Sequence, residues 1–241
     1  MAHSAPGSPS RSTRLFGRLA VSSLAAAAAV GSPAAAVAVA QPGSCPDTEV
    51  VFARGTNEAP GVGLTGQAFV DSLQTHLTGR TVDVRPVDYP ASMDFHRGID
   101  GVIDTMNTIS ATAANCSDTR IVLGGYSQGA AVAAYAVTGS VPAGYVLPPG
   151  ITGPLPPAVA NHIAAVVLFG TPREWIINIA DNSAPPIAIA SSLSAKTVEF
   201  CADGDPICSP DGLDRAAHSA YKVNGMADEA AVFAANSLSA R

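Results

Sequence analysis

A serine stands between two glycines in Gly125-Tyr126-Ser127-Gln128-Gly129. A bare G-x-S-x-G match is common by chance, so its surroundings decide what it means. The run Arg120–Gly124 before it reads as a strand, and Gln128–Val137 after it reads as a helix. A strand that turns sharply into a helix holds the serine on a strained elbow with its Oγ exposed. Small flanking residues leave room for that turn. The start of the helix then offers free N–H groups and a positive dipole end, which favour a developing oxyanion. The chemistry implied is nucleophilic attack on a carbonyl carbon. The bland alternative is a glycine-rich connection with an incidental serine, and the strand and helix on either side argue against it.

A serine needs a base, and the base needs an orienting acid. In this strand-turn-helix setting they follow the serine in chain order, acid first and histidine last. Of five histidines, His3 lies near the N-terminus, while His76 and His96 precede the serine in helical surroundings. His162 opens an apolar strand and reads as a partly buried structural residue. His218 is the histidine beyond the last strand, which makes it the expected general base. Asp203 and Asp205 both lie just past a strand end, in Cys201-Ala202-Asp203-Gly204-Asp205-Pro206-Ile207-Cys208. Spacing alone does not separate them. A bond between Cys201 and Cys208 pins this loop at both ends, worth roughly 2–3 kcal/mol on the chain-entropy model. It also holds a carboxylate still, and a fixed acceptor selects the histidine tautomer that can take the serine proton.

Short β-branched runs position these residues. Strands are expected at Glu49–Ala53, Val82–Val87, Arg120–Gly124, Ile163–Phe169 and Thr197–Cys201. Several are apolar on both faces, as strands are when helices cover both sides of a parallel sheet. Helices are expected at Thr65–Thr78, Asp94–Ala114, Gln128–Val137 and Ala227–Leu238. In the second, Ile99, Val102, Ile103, Met106 and Ile109 form an apolar stripe. The alternation predicts a three-layer α/β/α sandwich around a mainly parallel five-stranded sheet. Val141–Pro157, dense in proline and glycine, reads as an irregular surface loop bordering the site. Asp181–Pro186 reads as a shorter stretch of the same kind.

The N-terminus reads as a separate object. Arg11, Arg14 and Arg18 precede an apolar run from Leu19 to Val30, and small residues lead up to Ala40. This pattern predicts a secretory leader over residues 1–40, cut after Ala40, followed by one domain over 41–241. The apolar run is shorter than the ~20 residues a membrane span needs, and Gly31-Ser32-Pro33 interrupts it. A stable anchor is therefore not expected. Losing the leader removes three arginines and no acids, which takes the formal charge from −6 to −9. So acidic a chain is a poor partner for nucleic acid or anionic lipid. Four cysteines in an exported chain read as two disulfides. Three pairings are possible; the proximity of Cys201 to Cys208 leaves Cys45 to reach Cys116. A lone C-x₆-C without nearby histidines matches no usual zinc spacing, so no metal is expected.

Taken together, the residues resemble a family. Cys45 before the first strand, Ala53-Arg54-Gly55-Thr56 after it, the Ser127 pentapeptide, Gly204-Asp205-Pro206-Ile207-Cys208 and His218-Ser219-Ala220-Tyr221 occur in the order and spacing of a cutinase. The likeness runs from about Cys45 to the C-terminus and is to the cutinase-like esterases exported by mycobacteria and their relatives. It implies an α/β-hydrolase fold, Asp205 as the acid, His218 as the base, and the pairings Cys45–Cys116 and Cys201–Cys208. It also implies an oxyanion hole from Gln128 and Thr56; many cutinases carry serine at the second position, and threonine keeps both its hydroxyl and its N–H. Thr56 follows the carboxyl end of the first strand, where a second oxyanion donor usually sits. Fungal cutinases have an apolar loop before the histidine, whereas Ser209–Ala217 here carries three charged residues. The implied activity is hydrolysis of short- to medium-chain carboxylic esters or lipids through an acyl-enzyme. No cofactor is needed, and a monomer is expected. Transfer of the acyl group to another hydroxyl, phospholipid or polyester hydrolysis by the same site, and a non-catalytic exported module are the competing expectations.

Overall fold

The computed structural model describes residues 44–240. The expected leader and its cleavage point lie outside the described residues.

The apolar runs become strands β1 (Thr48–Ala53), β2 (Val82–Pro86), β3 (Arg120–Tyr126), β4 (Ile163–Phe169) and β5 (Thr197–Phe200). They form one sheet in the order β2-β1-β3-β4-β5, with every pairing parallel. The helices between them are α1 (Gly63–His76), α2 (Gly98–Asn115), α3 (Gln128–Ala136), α4 (Pro157–Ala160), α5 (Glu174–Ala180) and α6 (Met226–Ser239). Alternation along the strands feeds two cores. Val50, Phe52 and Phe169 pack with Phe69 and Leu73 of α1 and Ala230 and Ala234 of α6. Val51, Leu123 and Leu168 pack with Val102 and Ile109 of α2 and Ala130 and Ala133 of α3. β1 and β4 are buried along their whole length, as strands covered on both faces must be. The expected α/β/α sandwich is the observed architecture.

The strand order places the site. The chain winds outward from β1 to β2 on one side and from β3 to β4 and β5 on the other. The connections leaving the carboxyl ends of β1 and β3 therefore diverge and open a crevice there. Thr56 follows β1 and Ser127 follows β3, so both lie at that crevice.

Some boundaries differ from expectation, for local reasons. β3 continues to Tyr126, because Tyr126 still pairs with Phe169 of β4. α2 begins at Gly98, with Phe95–Arg97 forming a separate 3₁₀ turn. α5 was not expected, since seven residues are too few to show a helical period. The proline-rich segment is irregular until Pro156-Pro157 starts α4, proline being favoured at the first helical position. Both disulfides are present, Cys45–Cys116 tying the chain before β1 to the end of α2, and Cys201–Cys208 closing the small loop after β5.

Candidate active site

Ser127 has φ 55° and ψ −120°, a backbone conformation that non-glycine residues rarely adopt. The surroundings enforce it. The Ser127 N–H donates to the carbonyl of Phe169 at 2.9 Å. A Cβ at Gly125 would fall 2.2 Å from the Gly129 carbonyl oxygen, and one at Gly129 would fall 2.0 Å from that of Ala53. The two glycines therefore let the elbow pack against the end of β1. The alanines of α3 serve the same close approach, with Ala130, Ala133 and Ala134 fully buried against the sheet.

His218 comes from a single turn, Ala217–Ser219, and reaches the elbow. Its Nε2 lies 2.8 Å from Ser127 Oγ. Its Nδ1 lies 2.8 Å and 3.0 Å from the two carboxylate oxygens of Asp205. Asp205 is wholly buried and Asp203 is exposed, so the structure separates the two acids that spacing left equal. Asp205 also accepts the Ile207 N–H at 2.8 Å and the hydroxyl of Tyr221. Burial pushes its carboxyl up, but the hydrogen bonds from His218, Tyr221 and Ile207 outweigh that and hold it below the usual carboxylate range. The pair is thus an imidazole Nδ1–H donor and a buried carboxylate acceptor. That tautomer leaves Nε2 free to accept the Ser127 proton.

Two tyrosines that stand in the sequence motifs without an assigned role complete this network. Tyr221 is fully buried, and besides Asp205 it accepts the Ala202 N–H at 3.1 Å. Burial and the neighbouring Asp205 carboxylate keep its phenol protonated. Tyr126 packs its ring, tilted by 32°, 5.1 Å from that of His218 and donates its hydroxyl to the His218 carbonyl at 2.5 Å. Burial first, and the nearby Glu58 second, push the Tyr126 phenol up to about 12, so it remains a donor.

On the other side of Ser127, the Thr56 hydroxyl donates to Gln128 Oε1 at 3.2 Å, and Gln128 Nε2 donates to the Ser92 carbonyl at 3.3 Å. The Gln128 side chain therefore holds the two expected oxyanion residues in register. As the first residue of α3, Gln128 also has a backbone N–H with no partner inside the helix. The loop that presents Thr56 is clamped by two charged residues whose role the sequence reading missed. Arg54 is buried and donates to the carbonyls of Glu58 and Tyr89 at 2.9 Å and 2.6 Å. Glu58 accepts the N–H groups of Gly55 and Leu64 at 2.7 Å and 2.8 Å. An arginine directly after the apolar run Val50-Val51-Phe52-Ala53 was the available signal.

The remaining histidines lie elsewhere. His76 contacts Asp228 at 3.3 Å, and His162 contacts the Thr119 carbonyl at 3.2 Å, the structural place expected of it. His3 is outside the described residues. His96 lies 3.0 Å from Asp181, where both border a cavity of about 400 Å³ that opens beside Ser127, Thr56 and Gln128. The segments 141–153 and 176–186 line that cavity, so the proline-rich loop borders the site as expected. The charged stretch Ser209–Ala217 does not line it.

Known proteins resemble this chain in both sequence and fold. The family model described as Cutinase matches residues 44–238. The chain is similar to Phospholipase Culp4 of Mycobacterium tuberculosis, at 44% identity over 80% of each chain. It is similar to Carboxylesterase Culp1 of Mycobacterium bovis, at 43% identity over 80% of this chain and 82% of the relative. Among solved structures, it is similar to the cutinase of Trichoderma reesei in complex with a C11Y4 phosphonate inhibitor. That match has a TM-score of 0.61 and 36% identity, over 80% of this chain and 77% of that one. A family match that spans nearly every described residue makes the chain a member of the cutinase family, a family of serine ester hydrolases.

Proposed function

We propose that the protein hydrolyses carboxylic esters through an acyl-enzyme on Ser127. The observation that carries this reading is the 2.8 Å approach of His218 Nε2 to Ser127 Oγ, with Nδ1 held by the buried Asp205 carboxylate. His218 takes the Ser127 proton as Oγ bonds to the ester carbonyl carbon. The N–H groups of Gln128 and Thr56 stabilise the oxyanion, joined by the Thr56 hydroxyl once it turns from Gln128 Oε1. The oxyanion then collapses, the ester C–O bond breaks, and the imidazolium gives its proton to the departing alcohol. A water repeats the sequence on the acyl-enzyme, with His218 first as base and then as acid, and the carboxylic acid leaves. Asp205 keeps the imidazole in the required tautomer and stabilises the imidazolium without itself taking the proton.

Ser127→Ala removes the nucleophile and leaves the fold in place. Hydrolysis of p-nitrophenyl butyrate should fall by about 10⁶, to the level of a site that retains only binding and oxyanion donors. Turnover that survives in this variant sinks the assignment. Lipid substrates fit the same reading, since one relative bears the name phospholipase and the cavity beside Ser127 is mainly apolar.

The protein is further proposed to act outside the cytoplasm as a single chain. Two disulfides suit an oxidising compartment, and all five site residues come from one chain. Among the described residues, no helix is long and apolar enough to cross a membrane. N-terminal sequencing of protein recovered from culture medium should begin within a few residues of Gln41, and an intact Met1 start would overturn export by cleavage.

A further inference from the structure

The cavity beside Ser127 has a direction. On α3 its lining residues are Gln128, Ala131, Val132 and Tyr135, which recur on one helical face that starts at the nucleophile. On α2 they are Ile99, Val102 and Met106, again one face. The space is therefore a channel running along α3 and beside α2. Val141, Leu147 and Ile151 of the proline-rich loop line it as well, and Ile177 and Ala180 of α5 contribute a further wall. Near its far end the Tyr135 hydroxyl donates to the Pro185 carbonyl at 2.6 Å, and the Thr138 hydroxyl donates to that of Ala188 at 2.9 Å. Tyr135, Thr138 and Pro185 all border the cavity. The lining residues farthest along α3 thus lie where the end of that helix is tied to the segment after α5.

Its position relative to His218 says which half of an ester it holds. The leaving alcohol must lie next to His218 Nε2 to receive its proton. Ser127, Gln128 and Thr56 border the channel, but His218 and Asp205 do not. The channel leads away from the base and from the alcohol, so its occupant is the acyl half.

Its length says how large that half is. At about 1.5 Å per helical residue, Tyr135 stands roughly 12 Å and Thr138 roughly 16 Å beyond Ser127. An extended backbone advances about 3.3–3.6 Å for every three bonds, so an extended alkyl chain needs roughly ten to thirteen bonds to cover that span. A volume of about 400 Å³ is in the range of pockets that bury most of a small ligand.

Resting on the reading of Ser127 as nucleophile, we infer that the channel is an acyl-chain ruler. It takes linear acyl groups of about ten to fourteen carbons and ends at Tyr135 and Thr138. The substrate class is then esters of medium- to long-chain fatty acids, longer than the short- to medium-chain esters that the family resemblance implies.

The test is a series of p-nitrophenyl esters from C2 to C16, each kept below the concentration at which it aggregates. Each methylene that enters the channel contributes, so kcat/KM should rise at least about tenfold from C4 to C10 and fall again by C16. Ala131→Phe places a ring part way along the channel and should lower the C10:C4 ratio at least about tenfold. Tyr135→Ala removes the end and should move the optimum to longer chains. Using a ratio within each variant cancels any general loss of active protein. A wild-type profile that is flat or declines from C4 overturns the ruler. So does an unchanged ratio in Ala131→Phe together with an unchanged optimum in Tyr135→Ala. Both leave Ser127 chemistry standing, whereas hydrolysis by Ser127→Ala at any chain length overturns the parent reading instead.

Discussion

Two loops flank Ser127, and they are built in opposite ways. The acid loop between Cys201 and Cys208 is closed by a disulfide. Inside it, Asp205 is fully buried and its carboxylate contacts three donors, His218, Tyr221 and the Ile207 N–H. The proline-rich loop is attached differently. Among the described residues, its hydrogen bonds are local turns, Tyr145 N–H to Pro142 and Ile151 N–H to Pro148. It meets the body of the protein by apolar contact, with Ile151 and Leu155 packed on the α2 and α3 side of the sheet. The difference follows from the tasks proposed for them. Proton transfer tolerates only small errors in position, which directional bonds and a covalent ring can guarantee. Choosing an acyl chain needs a surface of the right shape and polarity, which packing alone supplies.

The contrast can be broken at several strengths. The largest effect is expected for Asp205→Asn, which keeps the shape of the acid loop and loses the tautomer control; kcat for p-nitrophenyl butyrate should drop by about 10⁴. A drop of less than tenfold would show that the acid loop does not carry the precision assigned to it. Next comes a matched pair of insertions, two glycines after Asp203 and two after Gly144. A shift of about 1 Å at a catalytic group costs on the order of 10² in rate, and the first insertion should show it in kcat. The second lengthens an exposed turn, where loop entropy changes by well under about 1 kcal/mol, so thermal unfolding should barely move. Equal effects from both would remove the distinction between the loops.

The smallest effect expected in the acid loop comes from Tyr221→Phe, which deletes one donor to Asp205 and leaves the Ala202 N–H without its acceptor. Unfolding in urea should show a loss of about 1–3 kcal/mol. Its pH dependence has a definite sign. The Asp205 carboxyl is held lower in the folded protein than in the unfolded chain. The stability this contributes is present above about pH 4, the unfolded value, and is lost as pH falls through the folded one. Removing the Tyr221 hydroxyl raises the folded value towards the ordinary one. The acid-unfolding midpoint should therefore move to higher pH, and a midpoint that stays put would deny Tyr221 its hold on Asp205.

Much of the frame was legible in the residues. β4 runs over Ile163–Phe169 as expected, because a continuous apolar run between polar ends has one way to be a doubly covered strand. The elbow was legible because its glycines follow from a local steric demand, seen now as the 2.2 Å and 2.0 Å approaches at Gly125 and Gly129. His218 was legible by order along the chain. Asp205 was not separable from Asp203 by spacing, since two residues apart in one loop is no distinction until one carboxylate is buried. Arg54, Tyr126 and Tyr221 stand in the motifs, but their roles, and that of Glu58, were not legible. Their partners are backbone carbonyls, N–H groups or side chains brought near by folding, and such partners leave no periodic trace.

The sequence by itself determined the alternation of strands and helices, the elbow at Ser127, and the chain order that leads from it to His218, because local sterics and hydrophobic period act over a few residues. Spacing left Asp203 and Asp205 equal and the family resemblance pointed to Asp205; only the tertiary structure buries Asp205 against His218 and brings Tyr221 to steady it. It also decided that the proline-rich loop, rather than the charged stretch before His218, walls the channel beside Ser127. Those outcomes depend on distances between segments far apart in the chain, which are set when the sheet closes and its carboxyl edge is assembled.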